Sequence, residues 1–593
     1  MVTFAEQNLY MDLDADQHNA AYSPASRLCI VASAGSGKTR VLVKRIEYLI
    51  KSEKCLPEQI VAITFTRKAG FELANRIAKI FGDTSRERPI VGTLHAFALN
   101  ELKNFHDDNS TKIRNLVENS VEILKKLEVK DQTKILRIIS WCKTRFIDEN
   151  KIDNESFRKI LKNVHINGTS ISLESFLESS RKYKKYLKDN GLMDHDDLLI
   201  EYHNRLKNEN FLNTRRYLYR HLLVDEFQDT TPLHMRIYQM LVGGNGSITV
   251  VGDPNQSIFS FAGSSDVYLN NFSDFFPGSQ VVFLNKNYRS TKANVEVALS
   301  VIENEEYKVE AIRPSNVLPK VHVFSDENEE AKSVLNLISS THAKGVALNE
   351  IAVLVRTNSQ KQLFINAANK LGIKYHVGRH EFKSEFEKEI WQQITTLRKK
   401  RKWKSIYDAL DDINSLDKST GSELSEEQAN VHLNLRKAAK EYISLFPYDK
   451  HGDVNGFFEY IREKLDSSNS HSAGFSLLTF HQAKGLEFNT VIVAGFEKGL
   501  VPLYNDRIRI KEEARLAYVA MSRALDELHI TRACVRTRHG QILVCKESPF
   551  LKDINQHISQ LDIRNDLFST QEAIKRIEDI RAKYLEKNTE NKS

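Results

Sequence analysis

A short segment near the start of the chain constrains the fold more than any other. Residues 32–39 read Ala-Ser-Ala-Gly-Ser-Gly-Lys-Thr and directly follow the apolar run 28–31. A buried strand, a turn of small residues and a helix allow backbone N–H groups and the helix dipole to surround phosphates. Lys38 is expected to reach the outer phosphates, and the Thr39 hydroxyl to hold Mg²⁺. The segment predicts a P-loop nucleotide triphosphatase, although Ala32 stands where the strict pattern has glycine.

Two adjacent acids at the end of another apolar run supply the second half of a nucleotide site. Residues 221–224 read His-Leu-Leu-Val and lead directly into Asp225 and Glu226. A carboxylate at the tip of a buried strand can hold Mg²⁺, and its neighbour can orient and deprotonate the attacking water. Asp225 is expected in the first role and Glu226 in the second. The alternative is a solvated strand end, which the phosphate loop in the same chain disfavours.

A third apolar run, residues 248–251, is followed by a polar tip and two aromatic residues. Gln256 can sense the γ-phosphate, while Phe259 and Phe261 offer flat faces on which bases can stack. This pattern predicts a mechanical link between hydrolysis and a strand of nucleic acid. The alternative for the two rings is ordinary packing in the core.

Length, composition and charge narrow the class of protein. The 593 residues are too many for one core and suggest about three to four domains. The five cysteines contain no CxxC pair, which argues against a zinc ribbon, an iron–sulfur cluster or a disulfide framework. No apolar stretch is long enough to span a bilayer and no signal peptide is recognisable, so we expect a cytoplasmic protein without a membrane partner.

The net charge of +7 permits nucleic-acid binding without demanding it. Residues 398–404 are basic at six of seven positions, and residues 181–186 alternate cations with tyrosines. Each run is either a solvated helix face or a surface that follows phosphates.

Further motifs, spread in order over residues 13–551, resemble those of superfamily-one helicases of the UvrD/Rep/PcrA type. The matching segments are 13–17, 32–39, 63–69, 92–97, 194–199, 221–229, 248–261, 285–290, 352–358, 478–488 and 513–524. The resemblance implies an α/β fold with two RecA-like parallel-sheet motor domains, each carrying a helical insertion. It also departs from the family in places, since Phe261 and Ala262 stand where the family usually has Trp and Arg. Base stacking is expected to survive this change, with the loss of one cationic contact to DNA.

The resemblance assigns roles residue by residue. ATP would be held by Gln17, Ala32, Ser33, Ala34, Gly35, Ser36, Gly37, Lys38, Thr39, Arg40, Tyr288 and Glu487, with Mg²⁺ on Thr39 and Asp225. The catalytic set would be Lys38, Asp225, Glu226, Gln256, Arg289 and Arg523. Single-stranded DNA would be contacted by Thr64, Phe65, Arg67, Thr93, His95, Phe259, Phe261, Arg356, Asn358 and His481.

The spacing of the motifs also predicts where the domains begin and end. We expect motor domain 1A at 1–100 and 199–290, its insertion 1B at 101–198, motor domain 2A at 291–391 and 473–564, its insertion 2B at 392–472, and a charged tail at 565–593. Helical periodicity within 1B favours helices at 112–127, 134–146 and 173–187. Insertion 2B is about half the length that the family resemblance implies.

The predicted function is that of an ATP-dependent DNA helicase that acts on single-stranded DNA and at duplex junctions, in anti-phage defence or DNA repair. The resemblance implies that it moves 3′ to 5′. The alternative is an ATPase that senses DNA ends and regulates a partner nuclease without processive unwinding. The short 2B insertion resembles the GajB-type helicase-like subunits of the Gabija anti-phage system, whose partner is a GajA-like nuclease of the OLD family. An inactive scaffold is disfavoured by the intact lysine, acids and arginines, and a GTPase by the lack of an Asn-Lys-x-Asp motif.

Overall fold

The computed structural model describes residues 13–52, 55–81, 88–104, 114–117, 119–166, 171–302, 308–315, 317–377, 433, 437–438, 440–446, 456–458, 460–461, 474–504, 506, 509–538 and 541–558. Contacts between residues divide the chain into two compact units. The first unit comprises residues 1–285 with 382–469, and the second comprises residues 286–381 with 470–593.

A six-stranded parallel sheet forms the centre of the first unit. The strands of this unit are β1 (Arg27–Ala32), β2 (Ile60–Thr64), β3 (Ile90–Thr93), β4 (Asn115–Leu116), β5 (Leu192–Met193), β6 (His221–Val224), β7 (Ser247–Gly252) and β8 (Gln280–Leu284). The large sheet has the order β3-β2-β6-β7-β1-β8, and every neighbouring pair is parallel. Its central strands are apolar along almost their whole length because helices cover both faces.

Helices surround this sheet and build the insertion within the first unit. They are α1 (Ala15–Ala21), α2 (Lys38–Ser52), α3 (Arg67–Phe81), α4 (Leu94–Asn104), α5 (Ser120–Lys126), α6 (Gln132–Thr144), α7 (Asn154–Asn163), α8 (Leu173–Asp189), α9 (His195–Arg205), α10 (Glu209–Leu218), α11 (Pro232–Val242), α12 (Val267–Asn270) and α13 (Phe272–Phe275). Apolar residues of β1 and α2, such as Ile30 and Ile46, form the core between sheet and helix.

The insertion of the first unit has its own apolar core, formed from α5 to α8 with Ile138, Phe176 and Tyr183 near its centre. The predictions of helices at 134–146 and 173–187 correspond to α6 and α8. The prediction of one helix over 112–127 is wrong, because residues 115–116 form β4, which pairs with β5. The helix there begins only at Ser120, where the side chain of Asn119 caps it.

The second unit is built on another parallel sheet. Its strands are β9 (Lys286–Thr291), β10 (Glu310–Arg313), β11 (Lys320–Asp326), β12 (Ile351–Val355), β13 (Tyr375–His376), β14 (Phe475–Thr479), β15 (Phe488–Val493), β16 (Ala524–Arg538) and β17 (Gln541–Val544). The order is β11-β16-β15-β12-β14-β13, with β17 antiparallel to β16 and a separate pair formed by β9 and β10. The helices described in this unit are α14 (Lys292–Ser300), α15 (Glu327–Ala343), α16 (Asn358–Leu371), α17 (Ile510–Met521) and α18 (Phe550–Ile554). The α/β class predicted from the sequence is thereby confirmed.

Most of the predicted insertion 2B lies outside the described residues, as do the basic run 398–404 and the tail 565–593. The described fragments of this insertion belong to the first unit. There the rings of Tyr442, Phe446 and Tyr460 surround Phe71 of α3, with ring centroids 6.1, 5.5 and 4.9 Å from its ring. No helix among the described residues is both long and apolar enough to cross a membrane.

Candidate nucleotide and nucleic-acid sites

The predicted phosphate loop lies at the carboxyl end of β1 and leads into α2. Gly35 and Gly37 adopt left-handed backbone conformations with φ of 73° and 84°, which glycine tolerates without strain. The loop is closed by Ser36, whose backbone N–H and hydroxyl both donate to the Ser33 carbonyl, at 3.3 and 2.8 Å. The ammonium of Lys38 donates to the carbonyls of Ala32 and Ser33 at 3.1 and 3.3 Å. Residues 33–37 therefore form the turn between β1 and α2 that a phosphate site requires, and Lys38, Thr39 and Arg40 begin the helix.

Gln17, the predicted reader of adenine, lies against this loop. Its side-chain amide donates to the Ser36 carbonyl at 2.9 Å, and the side chain is 2% exposed. A capping box with Asp14 at the start of α1 fixes its position. A Cβ atom at Gly37 would approach the Gln17 amide nitrogen to 2.8 Å, so this close contact requires glycine. The structure brings Gln17 to the phosphate loop, while its role as adenine reader stays a prediction.

The paired acids follow β6, two strands away from β1 in the sheet. The N–H of Asp225 donates to the Ile63 carbonyl at 2.9 Å, which continues the sheet ladder by one residue. Glu226 turns away from the strand in a left-handed conformation with φ of 51°, which is uncommon for a residue with a side chain. Burial, followed by the charge of Glu226, raises the pKa of Asp225 to about 7, although Lys38 opposes the shift.

These features fit a divalent cation. A partly buried carboxylate whose pKa is raised to about 7 would be stabilised in its charged form by a cation, and Mg²⁺ binds through one or two carboxylates together with phosphate oxygens. Thr39 follows Lys38 in the first turn of α2, as expected for the second ligand. Thr39 and Asp225 are thus the residues that would hold the ion.

Two residues that the sequence analysis did not single out connect the acids to the predicted phosphate sensor. Gln228, fully buried, donates its side-chain amide to the Glu226 carboxylate and accepts from the Asp253 N–H at 3.0 Å. Asp253 in turn accepts from the Gln256 amide at 2.6 Å, and its carboxylate lies 4.0 Å from the Lys38 ammonium. The sequence position of Gln228 and Asp253 could have indicated them, because each follows the end of an apolar run that forms a strand next to the other.

The predicted arginines lie in the second unit with Glu487. Arg289, which follows Tyr288 on β9, forms an ion pair with Glu487 at 2.7 Å. Arg523 is 1% exposed and donates to the Val519 carbonyl at 2.9 Å and to the Leu486 carbonyl at 3.3 Å. The structure therefore brings Tyr288, Arg289, Glu487 and Arg523 to one region of the second unit.

Three aromatic residues predicted to contact DNA, two of them by base stacking, form a continuous aromatic row in the first unit. Phe65 and Phe259 are stacked, with centroids 5.2 Å apart and an interplanar angle of 24°. Phe261 meets Phe259 edge to face at 6.1 Å. The guanidinium of Arg137, on α6 of the insertion, lies 5.2 Å from the Phe261 ring centroid. A cation from the insertion therefore accompanies the ring where the sequence has lost the usual neighbouring arginine.

The threonines and the histidine predicted to touch DNA have structural partners within the first unit. The hydroxyl of Thr64 is buried and donates to the Thr66 carbonyl at 3.0 Å, and that of Thr93 accepts from the Ala96 N–H at 3.2 Å. His95 lies near His195 and His234, with ring centroids 5.6 and 6.1 Å apart. Burial, then these two histidines and Arg67, holds the pKa of His95 well below its usual value, so its imidazole is neutral near pH 7.

The predicted DNA residues of the second unit lie at the carboxyl edge of its sheet. Asn358 begins α16 after β12, and His481 follows β14, which is the neighbour of β12. Arg356 is held in a bidentate ion pair with Glu513, at 2.6 and 3.1 Å. Glu513 also accepts a hydrogen bond from the Leu503 N–H at 2.8 Å. Through Glu513, Arg356 is therefore linked to the backbone at Leu503.

The chain contains two units, each built on a parallel sheet. In the first unit, a phosphate loop, paired acids and a polar sensor lie at the carboxyl ends of adjacent strands. These features define a P-loop nucleotide triphosphatase with RecA-like motor domains. Comparison with known families is more specific. Residues 13–277 match the UvrD/REP helicase N-terminal domain, and residues 282–401 and 381–534 match the UvrD-like helicase C-terminal domain. The chain belongs to the UvrD/REP helicase family.

Relatives of similar length come from several bacteria. DNA helicase II of Escherichia coli (strain K12) is 27% identical over 91% of this chain and 87% of its own. The ATP-dependent DNA helicase Rep of Buchnera aphidicola is 26% identical over 92% of this chain and 98% of its own. The ATP-dependent DNA helicase PcrA of Staphylococcus aureus is 25% identical, over 92% and 86%.

Proposed function

We propose that this protein hydrolyses ATP to move 3′ to 5′ along single-stranded DNA and to separate duplexes at junctions. The observation that carries the proposal is the hydrogen-bonded path from Glu226 through Gln228 and Asp253 to Gln256. Three residues beyond Gln256, Phe259 enters the aromatic row. Hydrolysis or release of the γ-phosphate could therefore shift Gln256 and, through it, the aromatic row on which bases would stack.

The chemistry assigned to the first unit follows from its side chains. The loop 32–39 would bind the phosphates through backbone N–H groups and Lys38, and Gln17 would select adenine. Mg²⁺, held by Thr39 and Asp225, would supply positive charge at the phosphate oxygens. Glu226, oriented by Gln228, would align the attacking water and accept its proton.

The second unit would supply the remaining charge. Arg289 and Arg523 are proposed to neutralise the transferred phosphoryl group, a contribution of about 10³ to 10⁵ in rate where such arginines have been isolated. Arg289 is already ion-paired with Glu487, and Arg523 donates to backbone carbonyls. Both guanidiniums would have to exchange these partners for phosphate oxygens, and this exchange would make hydrolysis depend on a change of conformation.

The direction of movement and the biological role are part of the proposal and rest on the family resemblance. A role in anti-phage defence would give the motor a partner nuclease of the OLD family, as in Gabija systems, whereas DNA repair would not require one.

Strand displacement on duplexes with either a 3′ or a 5′ single-stranded tail tests the direction of movement. Displacement from the 3′ tail alone is expected. DNA-stimulated ATP hydrolysis without displacement would favour the sensing function instead.

The active site is tested separately by substitution. Lys38→Ala and Glu226→Gln are each expected to lower DNA-stimulated ATP hydrolysis by about 10²-fold or more, because they remove phosphate binding and the general base. Lys44→Ala is a matched control, since Lys44 lies on the same helix and pairs with Glu47 at 2.9 Å. Hydrolysis near the wild-type rate in Glu226→Gln would show that another group activates water.

A further inference from the structure

Two cysteines face each other across the β16–β17 hairpin of the second unit. The register of this antiparallel pair places Val535 opposite Val544 and Arg536 opposite Leu543. One step further, Cys545 lies opposite Cys534, and the Cys545 N–H donates to the Cys534 carbonyl at 2.8 Å. Directly opposed residues of an antiparallel pair point to the same face of the sheet. The two thiol side chains therefore share one face.

The spacing of such a pair suits a disulfide. Opposed residues in a hydrogen-bonded antiparallel pair have Cα atoms about 5.5 Å apart. Disulfides span Cα separations of about 4.4 to 6.8 Å. The expected Cα spacing of the two cysteines is therefore compatible with a disulfide.

Neighbouring side chains fix the register of the hairpin. Two residues from Cys534 along β16, Arg532 forms an ion pair at 2.8 Å with Glu547, which lies two residues beyond Cys545. Two residues in the other direction, Arg536 is buried and binds the carboxylates of Glu330 and Glu497. The ion pair between Arg532 and Glu547 therefore links the two chain segments next to the cysteine pair, while Arg536 anchors β16 to Glu330 and Glu497.

Accessibility distinguishes this pair from the other cysteines. Cys534 and Cys545 are each partly exposed, whereas Cys29, Cys55 and Cys142 are buried. Burial raises the pKa of both the Cys29 and the Cys142 thiols to about 12. Because the thiolate is the reactive form, these buried thiols are poor nucleophiles near neutral pH.

We propose that Cys534 and Cys545 form a reversible disulfide by exchange with a small oxidised disulfide such as glutathione disulfide. The thiolate of one cysteine attacks the small disulfide, forming a mixed disulfide and releasing one glutathione thiolate. The second cysteine then attacks the protein sulfur of the mixed disulfide and releases the second glutathione. The two cysteines together lose two protons and two electrons, which convert one glutathione disulfide into two glutathione thiols.

The consequence of this bond lies in β16, which begins at Ala524, directly after Arg523. The disulfide would close a short loop at the far end of this strand and hold the hairpin together in the oxidised form. It would raise the melting temperature of the second unit while leaving Lys38, Asp225 and Glu226 of the first unit untouched.

The test is equilibration of the full chain with defined ratios of reduced to oxidised glutathione, followed by acid quenching and alkylation. Before alkylation, the expected product is two mass units lighter than the reduced chain. After alkylation, it carries two fewer alkyl groups. Trypsin should release residues 533–536 linked to residues 539–546, and excess reduced glutathione should restore both thiols. Cys534→Ser and Cys545→Ser should each stop at a glutathione adduct on the remaining cysteine.

Two outcomes would overturn the inference. One is wild-type protein that accumulates glutathione adducts at both positions without the linked peptide. The other is a linked peptide that contains Cys29, Cys55 or Cys142. Thermal unfolding of the oxidised and reduced forms provides an independent readout, since an intact hairpin disulfide should raise the wild-type melting temperature and leave both serine variants unchanged.

Discussion

At the scale of single residues, side-chain amides position two acids of the candidate nucleotide site. Glu226 is held by the side chain of Gln228, and Asp253 by those of Gln228 and Gln256. Gly252 makes room for this arrangement, because a Cβ atom there would lie 2.6 Å from the Gln228 side-chain oxygen. An amide can donate to one acid and accept from the backbone of another, so a single residue couples two strand ends.

Gln228→Ala is expected to lower kcat for ATP hydrolysis by about 10-fold or more while changing KM for ATP little. Glu226 loses the donor that orients it, and the buried Asp253 N–H loses its acceptor, at a cost of about 1 to 3 kcal/mol in stability. Steady-state kinetics and urea unfolding measure the two effects. Gln239→Ala is the matched control, since the Gln239 amide reaches only the Phe275 carbonyl on the surface, at 3.4 Å. Equal behaviour of the two variants would show that Gln228 does not position the acid.

Asp225 gives the first unit a pH-dependent stability. Its pKa rises from 3.8 to about 7 in the folded protein, so folding favours the protonated form. The contribution is fully present below about pH 4 and is lost as the pH rises through 7, by an amount on the order of 4 kcal/mol. Asp225→Asn, which stays neutral, should flatten this part of the pH dependence when urea unfolding is followed without Mg²⁺ or nucleotide. Parallel curves for variant and wild type would contradict the shifted pKa.

At the scale of elements, the strands were predictable and the contacts between distant helices were not. The runs 28–31, 222–224 and 248–251 are buried and apolar except for Thr249, because both faces of the sheet are covered, and the composition of each strand reflects this burial. The turns after the strands carry Lys38, Asp225 and Gln256, so the nucleotide site could be predicted as well. Nothing in the sequence pairs Arg137 with Phe261, because that contact depends on how the insertion packs.

The helix predicted over 112–127 failed for a related reason. Two residues at its start are recruited into β4 by pairing with β5, which lies far away in the sequence. The periodicity of apolar residues indicates that a segment can form a helix, but it does not show whether a distant strand will pair with that segment instead.

The aromatic row formed by Phe65, Phe259 and Phe261 is the element whose function is most directly testable. Phe259→Ala is expected to weaken binding of single-stranded DNA by about 1 to 3 kcal/mol and to spare ATP hydrolysis without DNA. The effect of Phe65→Ala should not add fully to it, because the two rings stack on each other. Fluorescence anisotropy with a labelled oligonucleotide measures both.

Tyr217→Ala serves as the control for this series, since Tyr217 is an aromatic residue that is 72% exposed and lies on α10. Unchanged affinity in both phenylalanine variants would assign the row to packing alone.

At the scale of the whole molecule, the contacts between residues place the boundary between the units a few residues before the position predicted from the motifs. The boundary between the units falls after residue 285, whereas the motif spacing predicted it after residue 290. Residues 286–291 form β9, and the Ser290 hydroxyl donates to the Ala524 carbonyl at 2.6 Å. The motif at 285–290 thus spans the boundary and carries Arg289 into the second unit, next to Glu487.

The packing of Tyr442, Phe446 and Tyr460 around Phe71 affects the order in which the protein can assemble on the ribosome. The sheet of the first unit is complete once residue 284 has been made, but the first of these three rings follows only at residue 442. At roughly 5 to 20 residues per second, Phe71 would wait about 10 to 30 s for its cover during synthesis. The nascent first unit therefore presents an apolar surface to chaperones until all of residues 286–381, the first segment of the second unit, have been translated.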